Sequence, residues 1–486
     1  MAKRIPHSLI SRRNAVKGAA LGGSAALVGC GSNDGLGFAR EGLSGRPRVA
    51  VIGGGAGGIG AAYLLDSVYD VDIFESREKV GGHCDSHVVS YEGHDVTVDL
   101  GAQFFHPDTH PLYVTLLEEL GLFNPDSPDA DETIDAPGSL NMFKVGGSWW
   151  PLFSSQYPYL TPFLMVDFLV YTQSARQAIL GNMSWETTLE DWVKGLLVSK
   201  TFKNTILLPW LSALIGTTLA DAKRSSARSI LQTFALAFPA DIFAMASTYN
   251  SKIGLEGNLR RLLEHSPNTA VYVDAPVQSL SFADGAWTLQ TAFGVQGPYA
   301  AVVMNAPPHV SQEMLAGLDW AGDIVDTLGQ YEYFPSRLLI HTDAKYVHSD
   351  RGLWAVYNGG VDGDKCEGSV WYGGIRGKLS NGKNLDLFKS WASRRRADPS
   401  NILLERTFQH PLITPAAIRA ARAIKDFQGL NGLYFSGQFT SGFDLQESAL
   451  YSAIKVAENL APESTALASL RTRLEQRGRT GISYDL

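Results

Sequence analysis

The chain has 486 residues, 45% of them apolar and 19% charged, with 49 Gly, 22 Pro, 3 Cys and a net charge of −8. That balance describes a globular chain of two or three domains and excludes a mainly disordered one. The acidic charge excludes a nucleic-acid binder, and so few cysteines exclude a disulfide-stapled scaffold or a structural zinc protein.

The first thirty residues read as an address label. Ser11 precedes the pair Arg12-Arg13, Lys17 follows, an Ala/Gly-rich apolar run covers 18–29, and Leu27-Val28-Gly29-Cys30 closes it. This order resembles a twin-arginine signal peptide ending in a bacterial lipobox. Asn14-Ala15-Val16, in place of a large apolar pair, leaves the Sec route open. The run is too short to span a bilayer. Cleavage makes Cys30 the lipidated first residue and removes five positive charges. The acyl anchor, not the acidic surface, then holds the chain at the membrane. The expectation is a bacterial envelope protein, exported by the twin-arginine machinery with its cofactor loaded, and anchored on the periplasmic or outer face. Residues 31–45 read as a tether.

Residues 46–60 read RPRVAVIGGGAGGIG. An apolar strand, Val49 to Ile52, runs into Gly53, Gly55 and Gly58, a G-x-G-x-x-G turn that also holds Ala56 and Gly57. A helical pattern through Ala61, Ala62, Leu64 and Leu65 and a second strand, Val71 to Phe74, lead to Glu75. Gly53 makes the tight turn, Gly55 lets backbone approach a pyrophosphate, and Gly58 lets helix pack on strand. The helix N-terminus offers N–H groups to phosphate, and Glu75 accepts ribose hydroxyls. The pattern predicts an ADP-containing dinucleotide.

Further blocks follow in order. Ser76, Arg77, Gly81, Gly82 and His83 come after the acid, and VDLGAQ at 98–103 includes Gly101, Ala102 and Gln103. Ala275-Pro276-Val277 and VVMNAPP at 302–308 come next. Gly437 and Gln438 end a strand before a helix over Leu445 to Asn459 that carries Glu447, Ser448 and Ala449. Across residues 46–462 this resembles the flavin-containing amine oxidase superfamily, which includes monoamine and polyamine oxidases and phytoene desaturases. The resemblance implies FAD, bound non-covalently, because Cys366 is not in the family's flavin-linking context. It places Gly81, Gly82 and His83 against the diphosphate and ribityl chain. Gly101, Ala102 and Gln103 fall beneath the isoalloxazine, Val277 at the adenine, and Gly437, Gln438, Glu447, Ser448 and Ala449 at the closing flavin motif. A helix N-terminus there stabilises negative charge near N1. Gln438 stands where the family usually has an acid, and its amide still bonds a ribityl hydroxyl.

Residues 334–355 and 407–429, with their LHTD and HPLITP segments, resemble a bacterial branch of FAD/NAD-binding proteins associated with fatty-acyl modification. Amine oxidases cage substrate between aromatic rings and often place a Lys near flavin N5 through a water. No such Lys can be placed here, and the corresponding region reads Ser336-Arg337-Leu338.

Between 111 and 245, periodicity predicts helices over Leu112–Leu120, Leu160–Leu180, Leu189–Val198, Thr205–Ile215 and Ala227–Phe238. The apolar stretches 160–172 and 206–216 are shorter than a membrane span. They read as buried core, as the wall around a long apolar substrate, or as a patch dipping into a bilayer. Trp149 and Trp150 serve that rim or cap the core. Strands are expected over Arg337–His341 and Gly368–Tyr372, Arg394-Arg395-Arg396 as a solvated helix face, and Arg471 to Arg479 as a surface helix or frayed end. Cys84 and Cys366 either pair or stay isolated. The five His between 83 and 110 lack ligand spacing, so no metal is expected, and no hydrolase nucleophile elbow is visible.

The expected fold is α/β. A discontinuous FAD-binding domain of the glutathione-reductase Rossmann type takes 46–110, 246–315 and 426–465, and an inserted α+β substrate domain takes 111–245 and 316–425. The tail is 466–486. The expected activity is FAD-dependent redox chemistry on a C–H bond of an apolar or lipid substrate by hydride exchange at N5, as desaturation, isomerisation or oxidation. His341 and Arg337 are the catalytic candidates. A periplasmic amine oxidase and a non-catalytic flavin-binding assembly protein are the alternatives.

Overall fold

A computed structural model of the chain describes residues 45–127, 132–135, 140–144, 149–153, 162–235, 248–362, 365–479 and 486. The targeting segment, Cys30 and the tether up to residue 44 lie outside these residues, and so do the side chains of Trp149 and Trp150.

The apolar runs of the first motif build the inner sheet. Its strands are β1 (Arg48–Ile52), β2 (Asp70–Phe74), β3 (Thr269–Tyr272), β4 (Ala301–Met304) and β5 (Leu433–Phe435). They lie in the order β3-β2-β1-β4-β5, all parallel. β2 and β4 are buried along their whole length, because both faces of the sheet are covered. One cover is helix α1 (Ala56–Leu65), packed against α3 (Gly254–Glu264) and α4 (Gln446–Leu460). The other is a three-stranded antiparallel ribbon, Val277–Ala283, Ala286–Thr291 and Gly294–Tyr299, whose Trp287 and Leu289 are fully buried. Helices Gly322–Leu328 and Pro415–Phe427 pack on each other, and their Ile324, Leu328 and Ile424 join this same core. By packing they go with the parallel sheet.

A second, seven-stranded sheet has the order Ile402–Leu412, Glu332–His341, Phe388–Trp391, Lys365–Trp371, Tyr357–Asp362, Leu140–Lys144, Trp149–Phe153. Its last two strands, and Thr133–Asp135 in a smaller sheet, were not expected in a stretch read as helical. They are three to five residues long and sit at or next to a sheet edge, too short for a clear alternation.

Two more expectations change. The single helix over Thr205–Ile215 is a wide π-type turn, Phe202–Leu207, followed by a helix over Leu208–Leu214. Pro209 lies in the first turn of that helix, where its missing N–H costs nothing. Arg394-Arg395-Arg396 is not a solvated helix face. Arg395 donates to the carbonyls of Glu367 and Gly368 at 2.9 and 3.2 Å and lies 4.0 Å over the Tyr346 ring. The buried Glu367 carboxylate takes the backbone N–H groups of Ser393 and Arg394, which pins this loop. Cys84 and Cys366 are free and buried. Among the described residues no helix is long and apolar enough to cross a membrane.

An ion network braces the two sheets. The Asp85 side chain has no exposed surface and meets Lys79 at 2.7 Å, His87 at 3.1 Å and, from strand Ile402–Leu412, Arg406 at 3.1 Å. Lys79 also meets Glu256 of α3 at 2.5 Å. Burial alone would push the Asp85 carboxyl up, but hydrogen bonds from His87 and Lys79 hold it well below the carboxylate range. A depressed carboxyl stabilises the fold above its unfolded pKa of about 4 and stops doing so as pH falls below that. Asp85→Asn is therefore expected to cost on the order of 3 kcal/mol at pH 7. The gap to wild type narrows in acid, as read from urea midpoints over a pH series.

Candidate flavin site

The order of the parallel strands reverses between β1 and β4, and the crevice at such a switch point is where α/β sheets bind ligands. A cavity of about 650 Å³ opens there. Gly53 at the end of β1, Glu75 after β2, Asn305 after β4 and Gly437 after β5 all line it.

The nucleotide end requires glycine. Gly53 has φ +104°, and an added Cβ would lie 3.0 Å from the Asn305 backbone. A Cβ at Gly57 would come within 2.5 Å of Asn305 Oδ1, and one at Gly58 within 2.1 Å of the Gly53 carbonyl oxygen. Helix α1 starts from Gly55 with no side-chain cap and no acid in its first turn, so its N-terminus can receive a phosphate. Glu75 accepts from the N–H of Gly54 at 2.8 Å and of Arg77 at 2.9 Å, which aims its carboxylate along the crevice.

The flavin end lies between the two sheets. A Cβ at Gly101 would meet the His83 carbonyl at 1.8 Å. Lys389, only 1% exposed, comes from strand Phe388–Trp391 and donates to the Gly101 carbonyl at 2.5 Å, with its Nζ 5.2 Å from the Trp391 ring centre. Burial pushes its amine down to about 7, and Asp99 opposes that. The His83 ring stacks on His410 at 5.3 Å, and His410 Nδ1 lies 3.2 Å from Asp444 Oδ2. Burial first, then His410, hold His83 near 4, so it is neutral at pH 7. Burial is the largest influence and raises the Asp444 carboxyl, but the His410 hydrogen bond and the electrostatic pull of His410 and His83 together leave it below its ordinary value.

Of the residues read from sequence, Gly53, Gly55, Ala56, Gly57, Glu75, Ser76, Arg77, Gly81, Gly82 and His83 line the cavity. So do Gly101, Ala102, Gln103, Val277, Gly437, Gln438 and Ala449. Gly58 sits behind the cavity, at the helix–strand contact. Glu447 faces away from it. Its two oxygens take the N–H groups of Leu112 and Tyr113, 2.8 Å each, at the start of helix α2 (Pro111–Glu119). Ser448 closes its own helix start by donating to the Phe443 carbonyl at 2.7 Å.

The two catalytic candidates are misplaced. His341 is buried in its sheet, bonded to Ser390 at 2.8 Å and stacked on Phe388 at 5.5 Å. Arg337 forks between Asp398 and Glu405 at 2.7 Å each on the outer face. Alternation along one strand points both away from the cavity that Leu338 lines. A buried lysine does line the cavity, Lys389, on a different strand from the Ser336-Arg337-Leu338 region. Its one sequence signal was a cation inside the apolar run LFKSW. Asn305, His410 and Asp444 also line the cavity and went unread. Among the described residues, no group of three or more His, Cys, Asp or Glu is placed to hold a metal ion.

A dinucleotide cradle at the switch point, covered by a second sheet that carries a buried lysine, defines a flavin-dependent oxidoreductase. Residues 56–322 match the flavin containing amine oxidoreductases, and the chain belongs to that family, with FAD as its cofactor. Among solved structures it is similar to the CLA-producing fatty acid isomerase of P. acnes, at 12% identity and a TM-score of 0.62, over 85% of this chain and 99% of that one. A double mutant of putrescine oxidase matches at 13% identity and 0.58, over 85% and 98%. An oxidoreductase from Methanosarcina mazei matches at 14% and 0.59, over 85% and 100%. At these identities the likeness is one of fold. No curated protein sequence matches.

Gly58→Ala tests the cradle. It drives a methyl group into the Gly53 carbonyl and moves α1 off β1. The variant is expected to purify colourless, its flavin-to-protein absorbance ratio at background, while its far-ultraviolet circular dichroism stays near wild type. A wild-type flavin ratio would refute the assignment.

Proposed function

We propose that this FAD-dependent oxidoreductase acts on a C–H bond of an apolar substrate, with an unsaturated acyl chain as the class it fits. The wall that the second domain contributes carries this reading. Leu214, Leu338, Tyr357, Val370, Trp391 and Phe408 line the cavity. Among the described lining residues the carboxylates are Glu75 and Asp444, the first tied to backbone N–H groups and the second to His410. An amine arriving as a cation gains from a carboxylate free to pair with it, whereas an acyl chain needs only a dry wall.

Bound FAD supplies a hydride acceptor or donor at N5. The chain does the rest. Apolar side chains exclude water and align the substrate. The Gly101 carbonyl fixes Lys389 Nζ, which near neutral pH can give up or hold a proton in the cavity. His410 and Asp444 pair at 3.2 Å beside the neutral His83 ring. Cys30 would anchor this enzyme in the bacterial envelope, consistent with a substrate drawn from lipid.

Lys389→Met is expected to slow substrate-driven flavin reduction about 100-fold. It should also abolish the rise in rate with pH through about 7 that deprotonation of the buried amine produces in wild type. Stopped-flow absorbance over a pH series reads both.

The substrate class is tested by mixing the mature, FAD-loaded protein anaerobically with unsaturated fatty acids or with primary and polyamines. Flavin bleaching, or conjugated-diene absorbance without bleaching, is expected from the lipids alone. Bleaching by amines alone makes it an amine oxidase instead. No response to either pool, with flavin bound, favours a flavin-binding assembly role.

A further inference from the structure

His110 stands at the start of α2, 2% exposed, and lines the flavin cavity. Its Nδ1 receives the backbone N–H of His106 at 3.2 Å and lies 2.7 Å from Thr109 Oγ1. A backbone amide can only donate, so Nδ1 is an acceptor and the neutral ring carries its proton on Nε2. Burial, reinforced by His106, pushes the ring pKa down to about 3, so the neutral form holds across ordinary pH. Nε2 is buried with no hydrogen-bond partner among the described residues. Gln103 lines the same cavity, 4% exposed, and neither of its amide atoms has a partner among the described residues.

Buried polar groups are almost always paired, so these three atoms point to something that enters the cavity. The chemistry of that group follows from the donor. An ammonium has no lone pair for an N–H. A carboxylate would surrender its hydration to a donor that brings no charge. A carbonyl oxygen accepts from a neutral N–H without either penalty.

We infer that His110 is a tautomer-locked hydrogen-bond donor to a carbonyl oxygen held in this cavity, with the Gln103 amide as a second contact. Two carbonyls have the right chemistry: one on the flavin pyrimidine ring and one on an acyl substrate. Only the second rests on the acyl-chain reading above.

Infrared difference spectroscopy on the FAD-loaded protein separates them. Wild type, His110→Phe and His110→Asn are compared first alone and then with methyl decanoate bearing an isotope-labelled carbonyl. Visible flavin absorbance reports separately whether the ester has bound. A flavin carbonyl band that moves to higher frequency in His110→Phe before ester is added names the flavin as acceptor. A labelled ester band that moves while the flavin bands stay names the substrate. His110→Asn keeps a donor and retains much of the wild-type band position. Bound flavin and bound ester with neither band moved in His110→Phe overturns the inference. An ester that never perturbs the flavin sinks the acyl-chain reading instead, and the flavin band alone then decides the donor. If His110→Phe fails to fold, nitrogen NMR of the unmutated protein reads the ring directly. A proton on Nδ1 overturns the inference, and a proton on Nε2 supports it.

Discussion

Everything in this molecule depends on how closely helix α1 approaches strand β1. Residue 58 has no side chain because a Cβ would stand 2.1 Å from the Gly53 carbonyl. That carbonyl also accepts from Asn305 Nδ2 at 3.0 Å, so the same contact joins β1 to the end of β4. The open N-terminus of α1 falls at the strand-order reversal, where an anion can meet it. The glycine spacing is therefore a packing constraint first and a cofactor signature second.

The second sheet completes what the first cannot. A parallel sheet with a phosphate-binding helix holds a dinucleotide but leaves the reactive ring exposed. The seven-stranded sheet covers that end with apolar side chains and one buried amine, Lys389. Holding a cation there is costly, and the cost is visible in its lowered pKa. Perturbed amines of this kind concentrate at functional sites. The Asp85 network then fixes the distance between the two sheets, tying the turn that meets the cofactor to Arg406 on one side and to α3 on the other.

The nucleotide half was legible because its rules are local. A β-rich apolar run, glycines at fixed offsets and an acid after the next strand each act within a few residues of one another. The substrate half was not, because its chemistry is assembled across the chain. Lys389 matters only because it reaches the carbonyl of Gly101, and His410 only because it stacks on His83 and pairs with Asp444. No spacing rule links such residues. Arg337 stood where the family's lysine was sought and His341 in the branch-like segment 334–355, yet alternation turned both away from the cavity. Glu447 read as part of the closing flavin motif, and the structure gives it a different task, holding the start of α2.

The strand order also dictates a sequence of events in synthesis. β1 begins at residue 48 and its neighbour across β4, β5, ends at residue 435, so the central sheet closes only with segments from opposite ends of the chain. Gly53 and Gln438 line one cavity, and no N-terminal fragment can form it. While the chain is still growing, β4 has an unpaired edge and the apolar surface meant for α4 is uncovered, a state prone to misassociation. The cavity therefore cannot close around a cofactor before the segment out to Ala449 is in place, and the long-range pairing it requires is slow to form. A truncation before β5 would remove not a lid but the last wall of the flavin site.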